Sequence, residues 1–163
     1  MKYVNFCLAA ILSLALSAGS VKRDLPSFGY HPGESIPDIV LTDSGGKALI
    51  LHALKGKKVV VNFWASYDAP SRAANVQLYH FLSRNNADVT FLSVSFDENL
   101  HVLERTLAMD HLEKIPYCRE ERGTRSELYK EFRFSNGFRN YLIDEQGVIT
   151  AMNITPDELR SIL

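Results

Sequence analysis

The chain has 163 residues, of which 46% are hydrophobic and 23% are charged, and its formal charge at pH 7 is −1. This length suits one domain with a buried core and is too short for two, and the composition is ordinary for a soluble globular protein. Because the net charge is close to zero and no basic cluster occurs, a nucleic-acid partner is not expected.

The amino terminus has the pattern of a secretory signal peptide. Met1-Lys2 precedes an apolar run from Val4 to Leu16, and small residues follow at 17–20. The run is shorter than the roughly 20 residues that a membrane-spanning helix needs. We therefore predict that residues 1–20 are a cleaved signal peptide, that the protein is periplasmic or secreted, and that no stable membrane span remains after cleavage.

A leader and a single domain are predicted to follow the signal peptide. Residues 21–33 are polar and interrupted by proline and glycine, which predicts a flexible leader before a domain at 34–163. Cleavage would leave Cys118 as the only cysteine. The exported chain would then form no internal disulfide and would depend on packing for its stability.

The domain begins with hairpin signals. Residues 38–41 and 48–51 flank an Asp-Ser-Gly-Gly turn, which predicts a β-hairpin. Residues 51–56 predict a short helical turn that ends at glycine.

The stretch from Val59 to Arg72 organises the rest of the chain. It begins as an apolar, β-branched run, which predicts a strand buried on both faces. It ends in a polar turn with a proline, and an apolar spacing through Leu78 and Leu82 predicts a helix that fades near 83–86. In open α/β sheets, ligand sites usually lie where a strand ends and the next helix begins.

Four further elements are predicted in the second half of the domain. Residues 89–96 predict a second buried strand, 98–112 a helix and 126–132 a brief helix. Residues 115–118 predict a short edge strand, because Pro116 cannot donate to a central ladder.

The last part of the chain predicts a hairpin and a helix. Residues 141–144 and 148–152 flank a Glu-Gln-Gly turn, and Thr155, Pro156 and Glu158 form a capping box for a final helix. The order of elements requires a mixed sheet with helices on both faces, which is a three-layer α/β domain.

Three segments, 38–47, 54–66 and 141–149, occur in the order and spacing of a known family. The chain resembles the TlpA/ResA-type thiol–disulfide oxidoreductases, a thioredoxin-like group related to the AhpC/TSA peroxiredoxins. The resemblance extends from about Gly33 to the carboxyl terminus. It implies a thioredoxin-like fold with a mixed central sheet and an N-terminal β-hairpin, and a periplasmic role in disulfide exchange.

The redox motif of that family is replaced in this chain. Where the family reads Phe-Trp-Ala-Ser-Trp-Cys-x-Pro-Cys-Arg, Asp68 stands at the attacking cysteine and Ser71 at the resolving cysteine. Phe138 stands at the family's cis-proline, and we expect a trans bond there because a cis bond without proline costs roughly 2.5–4 kcal/mol. Val76 stands at a proline of the first helix. Since exchange needs a thiolate and a second sulfur, these replacements predict the loss of dithiol chemistry.

Asp68 and Ser71 have two interpretations. They are a new catalytic or metal-binding pair, or Asp68 caps the helix that follows, which we favour. No second carboxylate or histidine lies at ligand spacing nearby, so neither a metal site nor a cofactor is predicted.

The resemblance places Trp64, Tyr67 and Phe138 around the former redox site. Together with Asp68 and Ser71, they are predicted to form a groove that binds a protein or peptide partner, since exposed aromatic side chains are typical of interfaces. The alternative is ordinary packing for Trp64 and incidental exposure for Tyr67.

Cys118 supports a second function class. Lys114, Arg119 and Arg122 would lower the pKa of an exposed thiol at this position, whereas a lone cysteine is more commonly buried. The preferred hypothesis is an exported thioredoxin-fold protein that binds a partner without dithiol activity. The alternatives are a thiol–disulfide oxidoreductase or peroxidase, residual or acting through Cys118, and a carboxylate-based activity at Asp68.

Overall fold

The computed structural model describes residues 26–85 and 87–162. The predicted signal peptide, residues 1–20, and the first part of the predicted leader, 21–25, lie outside these residues. Within the described ranges, no helix is both long enough and apolar enough to cross a bilayer.

A mixed sheet of seven strands forms the centre of the domain, with the order β2-β1-β5-β4-β3-β6-β7. The strands are β1 (Val40–Asp43), β2 (Ala48–Ile50), β3 (Lys58–Trp64), β4 (Val89–Ser95), β5 (Tyr117–Arg119), β6 (Asn140–Ile143) and β7 (Ile149–Met152). The pairs β3–β4 and β4–β5 are parallel, and the remaining pairs are antiparallel. The predicted mixed sheet and both hairpins are therefore confirmed.

Helices and short 3₁₀ turns cover the two faces of the sheet. The helices are α1 (Ala69–Arg84), α2 (Leu100–Met109), α3 (Glu127–Glu131) and α4 (Pro156–Ile162), and the 3₁₀ turns are Leu51–Leu54, Gly123–Arg125 and Phe134–Asn136. Side chains of α1, α2 and α4 pack on one face. The other face is covered by α3, the turns and the segment around Ile36.

Strand β3 is central because its alternating side chains supply both faces of the core. Val60 packs under α1 and α4, and Trp64 packs against α2. Val59, Val61 and Phe63 point to the opposite face and join the largest apolar cluster. A continuous apolar run of this kind is what a strand buried on both faces requires.

The prediction that β5 is an edge strand is wrong. This strand lies inside the sheet, between β1 and β4. It pairs with β1 through Arg119 and Cys118 and with β4 through Tyr117, Cys118 and Arg119. Pro116 precedes the first paired residue, so its missing N–H lies outside the ladder and does not prevent pairing on both sides.

The capping box of the final helix is confirmed. The backbone N–H of Thr155 donates to Glu158 Oε2 at 2.7 Å, and the N–H of Glu158 donates to Thr155 Oγ1 at 3.3 Å. These two bonds satisfy donors that the first turn of a helix otherwise leaves unpaired.

Candidate functional site

Asp68 is the N-cap of α1. Its backbone is extended, with φ −102° and ψ 97°, and its Oδ1 accepts a hydrogen bond from the N–H of Ser71 at 3.0 Å. Its carbonyl accepts from the N–H of Arg72 at 3.0 Å. Pro70 lies in the first turn, where a missing N–H costs no helical hydrogen bond. The capping role predicted for Asp68 is confirmed.

Ser71 is buried beneath the start of α1. Its hydroxyl donates to the carbonyl of Asp68 at 3.2 Å. The amide of Asn62 donates to the carbonyl of Ser71 at 3.2 Å and to Oδ1 of Asn75 at 3.2 Å. A serine nucleophile needs a base to take its proton, and here the proton is directed to a backbone carbonyl instead. The hydrogen bonds between Ser71 and Asp68 are therefore those of a helix amino terminus.

A buried carboxylate that sequence reasoning missed fixes the turn between β3 and α1. Asp97 lies two residues after the end of β4. It accepts hydrogen bonds from the N–H of Ser66 at 3.0 Å, from the hydroxyl of Ser66, and from the hydroxyl of Ser95 at 2.8 Å. Because β3 and β4 are parallel, their carboxyl ends lie side by side. The hydrogen bonds of Asp97 therefore link the segment after β4 to the segment after β3. The available signal was an acidic residue immediately after a predicted buried strand.

Tyr67 and Phe138 form an aromatic pair at the surface, as predicted. Their ring centroids lie 6.4 Å apart, and Tyr67 is 64% exposed. The ring of Phe138 packs further inward against Phe96 and Phe134, at 5.3 Å from each. Among the described residues no peptide bond is cis, so the trans bond predicted before Phe138 is confirmed.

The surroundings of Tyr67 are acidic. The pKa of Tyr67 is raised, and partial burial is the largest cause. Smaller contributions come from four neighbouring side chains, Tyr129, Asp97, Asp68 and Glu98. The negative charges of the three carboxylates oppose ionisation of the phenol.

Trp64 does not belong to this surface, which corrects its inclusion among the binding residues. Its side chain is fully buried, packs with Leu103 and Leu107 of α2, and donates from Nε1 to Ser93 Oγ at 2.8 Å. The strand is still pleated at Trp64 and turns this side chain into the core, whereas Tyr67 lies in the turn beyond the strand.

A groove of about 250 Å³ adjoins the aromatic pair. It lies between α1, the loop before β6 and the loop between β7 and α4. Its lining includes Pro70, Ser71, Gln77, Phe138, Asn153 and Ile154. Ser71 is thus part of the groove floor although most of its side chain is buried.

Cys118 lies on β5, and its side chain is buried in the largest apolar cluster of the domain. Burial, and to a smaller extent the nearby carboxylate of Asp43, raise the pKa of the Cys118 thiol to about 11. The basic neighbours Lys114, Arg119 and Arg122 were expected to lower this pKa only for an exposed thiol, and the thiol is desolvated instead. The favoured interpretation of Cys118 as a buried cysteine is confirmed.

Within residues 26–85 and 87–162, no group of three or more His, Cys, Asp or Glu side chains lies close enough to hold a metal ion.

The mixed sheet and the strand-to-helix junction with its facing loop define a thioredoxin-like protein. A solved thioredoxin-like protein from Parabacteroides distasonis ATCC 8503 is 35% identical, with a TM-score of 0.71 over 83% of this chain and 96% of that one. The chain belongs to the Redoxin family, whose sequence model matches residues 31–162.

Two more proteins are similar to this chain, one in sequence and one in fold. The thioredoxin-like protein YneN of Bacillus subtilis (strain 168) is 27% identical over 129 residues, which are 77% of this chain and 73% of YneN. A thiol-disulfide oxidoreductase from Bacteroides fragilis NCTC 9343 shares the fold, with a TM-score of 0.68 and 23% identity over 80% of this chain and 100% of that one. The resemblance inferred from the three sequence segments is confirmed.

Proposed function

We propose that this protein is an exported Redoxin-family domain that binds a protein or peptide partner at the former redox site and performs no dithiol exchange. The partner contacts Tyr67, Asp68, Phe138 and the adjoining groove. The observation that carries the proposal is the hydrogen bond of 3.0 Å from the Ser71 N–H to the Asp68 carboxylate. The two positions that would exchange electrons in a dithiol site are joined here as a helix cap.

The chemistry of these side chains supports the loss of exchange. A disulfide is attacked by a thiolate, and a second sulfur releases the mixed disulfide. Neither Asp68 nor Ser71 carries sulfur. The remaining described sulfhydryl, on Cys118, is buried, and its raised pKa of about 11 leaves little thiolate at neutral pH.

The exposure of Tyr67 supports binding. A tyrosine that is 64% exposed and backed by a second aromatic ring offers a rigid, amphipathic contact of the kind enriched at interfaces. The groove beside Phe138 gives a neighbouring partner side chain a concave place to enter. Export is proposed from the charged, apolar and small-residue pattern of residues 1–20.

A disulfide-reduction assay tests the loss of redox activity. The purified protein is compared with a Cys118→Ser variant and with an Asp68→Cys/Ser71→Cys double variant, using insulin disulfides as the substrate. We expect no turnover from the unmodified protein or from Cys118→Ser, and a gain of turnover only in the double variant. Turnover in the unmodified protein that disappears in Cys118→Ser would overturn the proposal in favour of a single-cysteine enzyme.

Site-specific crosslinking tests the binding role. A photoreactive amino acid replaces Tyr67 in one protein and Met109 in another, because Met109 is 63% exposed and so matches Tyr67 in accessibility. We expect a discrete adduct from position 67 in the native compartment and none from position 109. Adducts of equal yield from both positions, or from neither, would contradict a partner site at Tyr67.

A further inference from the structure

We propose that the segment bound at this site is cationic, with an arginine or lysine side chain that lies on the Tyr67 ring and pairs with Asp68. The inference rests on the proposed function, because it names the chemistry of the partner that the site would take. It follows from the charges, the free hydrogen-bonding capacity and the aromatic surface that meet at the β3–α1 turn.

Two of the three carboxylates beside Tyr67 lack a counter-charge among the described residues. Within the described part of the chain, neither Asp68 nor Asp97 forms an ion pair. Arg72 follows Asp68 closely in the sequence, but its guanidinium is held by Asp110 at 2.6 and 2.7 Å. A partner that carries positive charge would supply the missing counter-charge.

Glu98 completes the same acidic surface but contributes less. Its carboxylate already pairs with Arg125 at 2.8 Å, and this surface pair is screened by solvent. The effect of Asp97, Asp68 and Glu98 on the phenol, which raises the pKa of Tyr67, agrees with a negative potential at the ring edge.

Asp68 keeps hydrogen-bonding capacity beyond its cap. Oδ1 accepts from the N–H of Ser71, whereas Oδ2 accepts no hydrogen bond from any described residue. An ionised carboxylate has about four acceptor sites on its two oxygens, so a guanidinium or ammonium can donate to Asp68 without breaking the cap. Such charge-assisted bonds are stronger than bonds between neutral groups.

Tyr67 supplies the surface for the rest of the cationic side chain. One part of its ring meets Phe138 at a centroid distance of 6.4 Å, and 64% of the residue is exposed. Cations are attracted to the face of such a ring, and arginine makes this contact more often than lysine. Phe138 continues into the groove, whose apolar wall of Pro70, Ala74 and Leu78 suits an uncharged neighbouring side chain.

The test uses two synthetic octapeptides labelled with a fluorophore, Gly-Ser-Arg-Leu-Arg-Leu-Ser-Gly and the same sequence with glutamate at both arginine positions. Fluorescence anisotropy measures their binding to the purified protein at low and high salt. Asp68→Asn removes the charge but keeps a side-chain oxygen that can cap the helix, and Tyr67→Leu removes the aromatic ring but keeps an apolar surface. Glu113→Gln is the matched control, since it removes the same charge from an exposed position elsewhere.

We expect the arginine peptide to bind and the glutamate peptide not to bind. Asp68→Asn and Tyr67→Leu should each weaken binding by about tenfold, added salt should weaken it further, and Glu113→Gln should leave it unchanged. Circular dichroism of each variant checks that the fold is intact.

Three results would overturn the cationic partner. If both peptides bind equally and Tyr67→Leu weakens both, the proposed function survives and the charge preference fails. If Glu113→Gln weakens the arginine peptide as much as Asp68→Asn does, the attraction is a general effect of net charge and not a property of this site. If neither peptide binds, the cationic inference fails, while crosslinking from position 67 still decides the binding role separately.

Discussion

The capping role of Asp68 leads to a measurable order of stabilities. In Asp68→Ala, the N–H of Ser71 loses its acceptor at 3.0 Å, and the amino terminus of the sixteen-residue helix α1 loses a negative charge. Loss of an N-cap costs about 0.5–2 kcal/mol of folding free energy. For a domain of this size, 1 kcal/mol lowers the melting temperature by roughly 2–4 °C.

Asp68→Asn separates the two contributions. The asparagine side chain keeps an oxygen for the N–H of Ser71, so only the attraction between the carboxylate and the helix terminus is lost, about 0.3–1 kcal/mol. The unmodified protein is therefore expected to have the highest free energy of unfolding, Asp68→Asn an intermediate one and Asp68→Ala the lowest. Urea denaturation followed by circular dichroism, with equal slopes for the three proteins, measures this order.

The opposite result would refute the reasoning. Residues selected for activity often leave a strained or destabilised site, and their removal commonly stabilises the fold. If Asp68→Ala were as stable as the unmodified protein or more stable, Asp68 would not be a structural cap. The hypothesis of a carboxylate-based activity at this position would then gain support.

Two other predictions concern buried groups. Asp97→Ala leaves the hydrogen-bond donors of Ser66 and Ser95 without their acceptor, and because bonds to a charged group are worth about 1.5–3 kcal/mol, we expect a loss in that range or above. Asp97→Ala should also weaken crosslinking from position 67, whereas an unchanged yield would show that Asp97 does not hold the turn. Cys118 has a pKa raised to about 11 from an ordinary value of 9.0, so the unfolded chain releases this proton first as the pH rises, and stability should fall between pH 9 and pH 11. Cys118→Ser should make that decrease smaller when urea denaturation is repeated across this pH range, while phenols with a raised pKa such as Tyr141 account for the remainder; a decrease of the same size in both proteins would assign all of it to other groups.

Local sequence signals predicted the local structures well. Thr155 and Glu158 are close in the chain, so their reciprocal capping bonds depend little on the rest of the fold. The same holds for Asp68 and Ser71. Signals of this kind are readable because the interacting groups are separated by one turn of helix.

The errors arose where distant segments decide the outcome. The position of β5 depends on β1 pairing along its outer side, and Pro116 gives no information about that contact. The sequence does not show to which face of the sheet Trp64 points. The run is apolar at almost every residue, so the residues that point to one face are as apolar as those that point to the other. The bonds from Ser66 to Asp97 join residues 31 positions apart, and only the parallel pairing of β3 and β4 brings them together.

The structure also explains how the loss of dithiol chemistry that we propose would leave the shape of the site intact. The amino terminus of a helix favours a negative charge, whether thiolate or carboxylate, so Asp68 takes up an interaction that the backbone already provides. The turn that presents Tyr67 is held from below by Asp97, through bonds to Ser66 that do not involve residue 68. The aromatic surface is therefore maintained independently of the residues that would carry out exchange. Because the scaffold and the positions of the proposed former redox pair depend on different contacts, replacement of such a pair would leave a stable, acidic and aromatic surface on which binding can be tested directly.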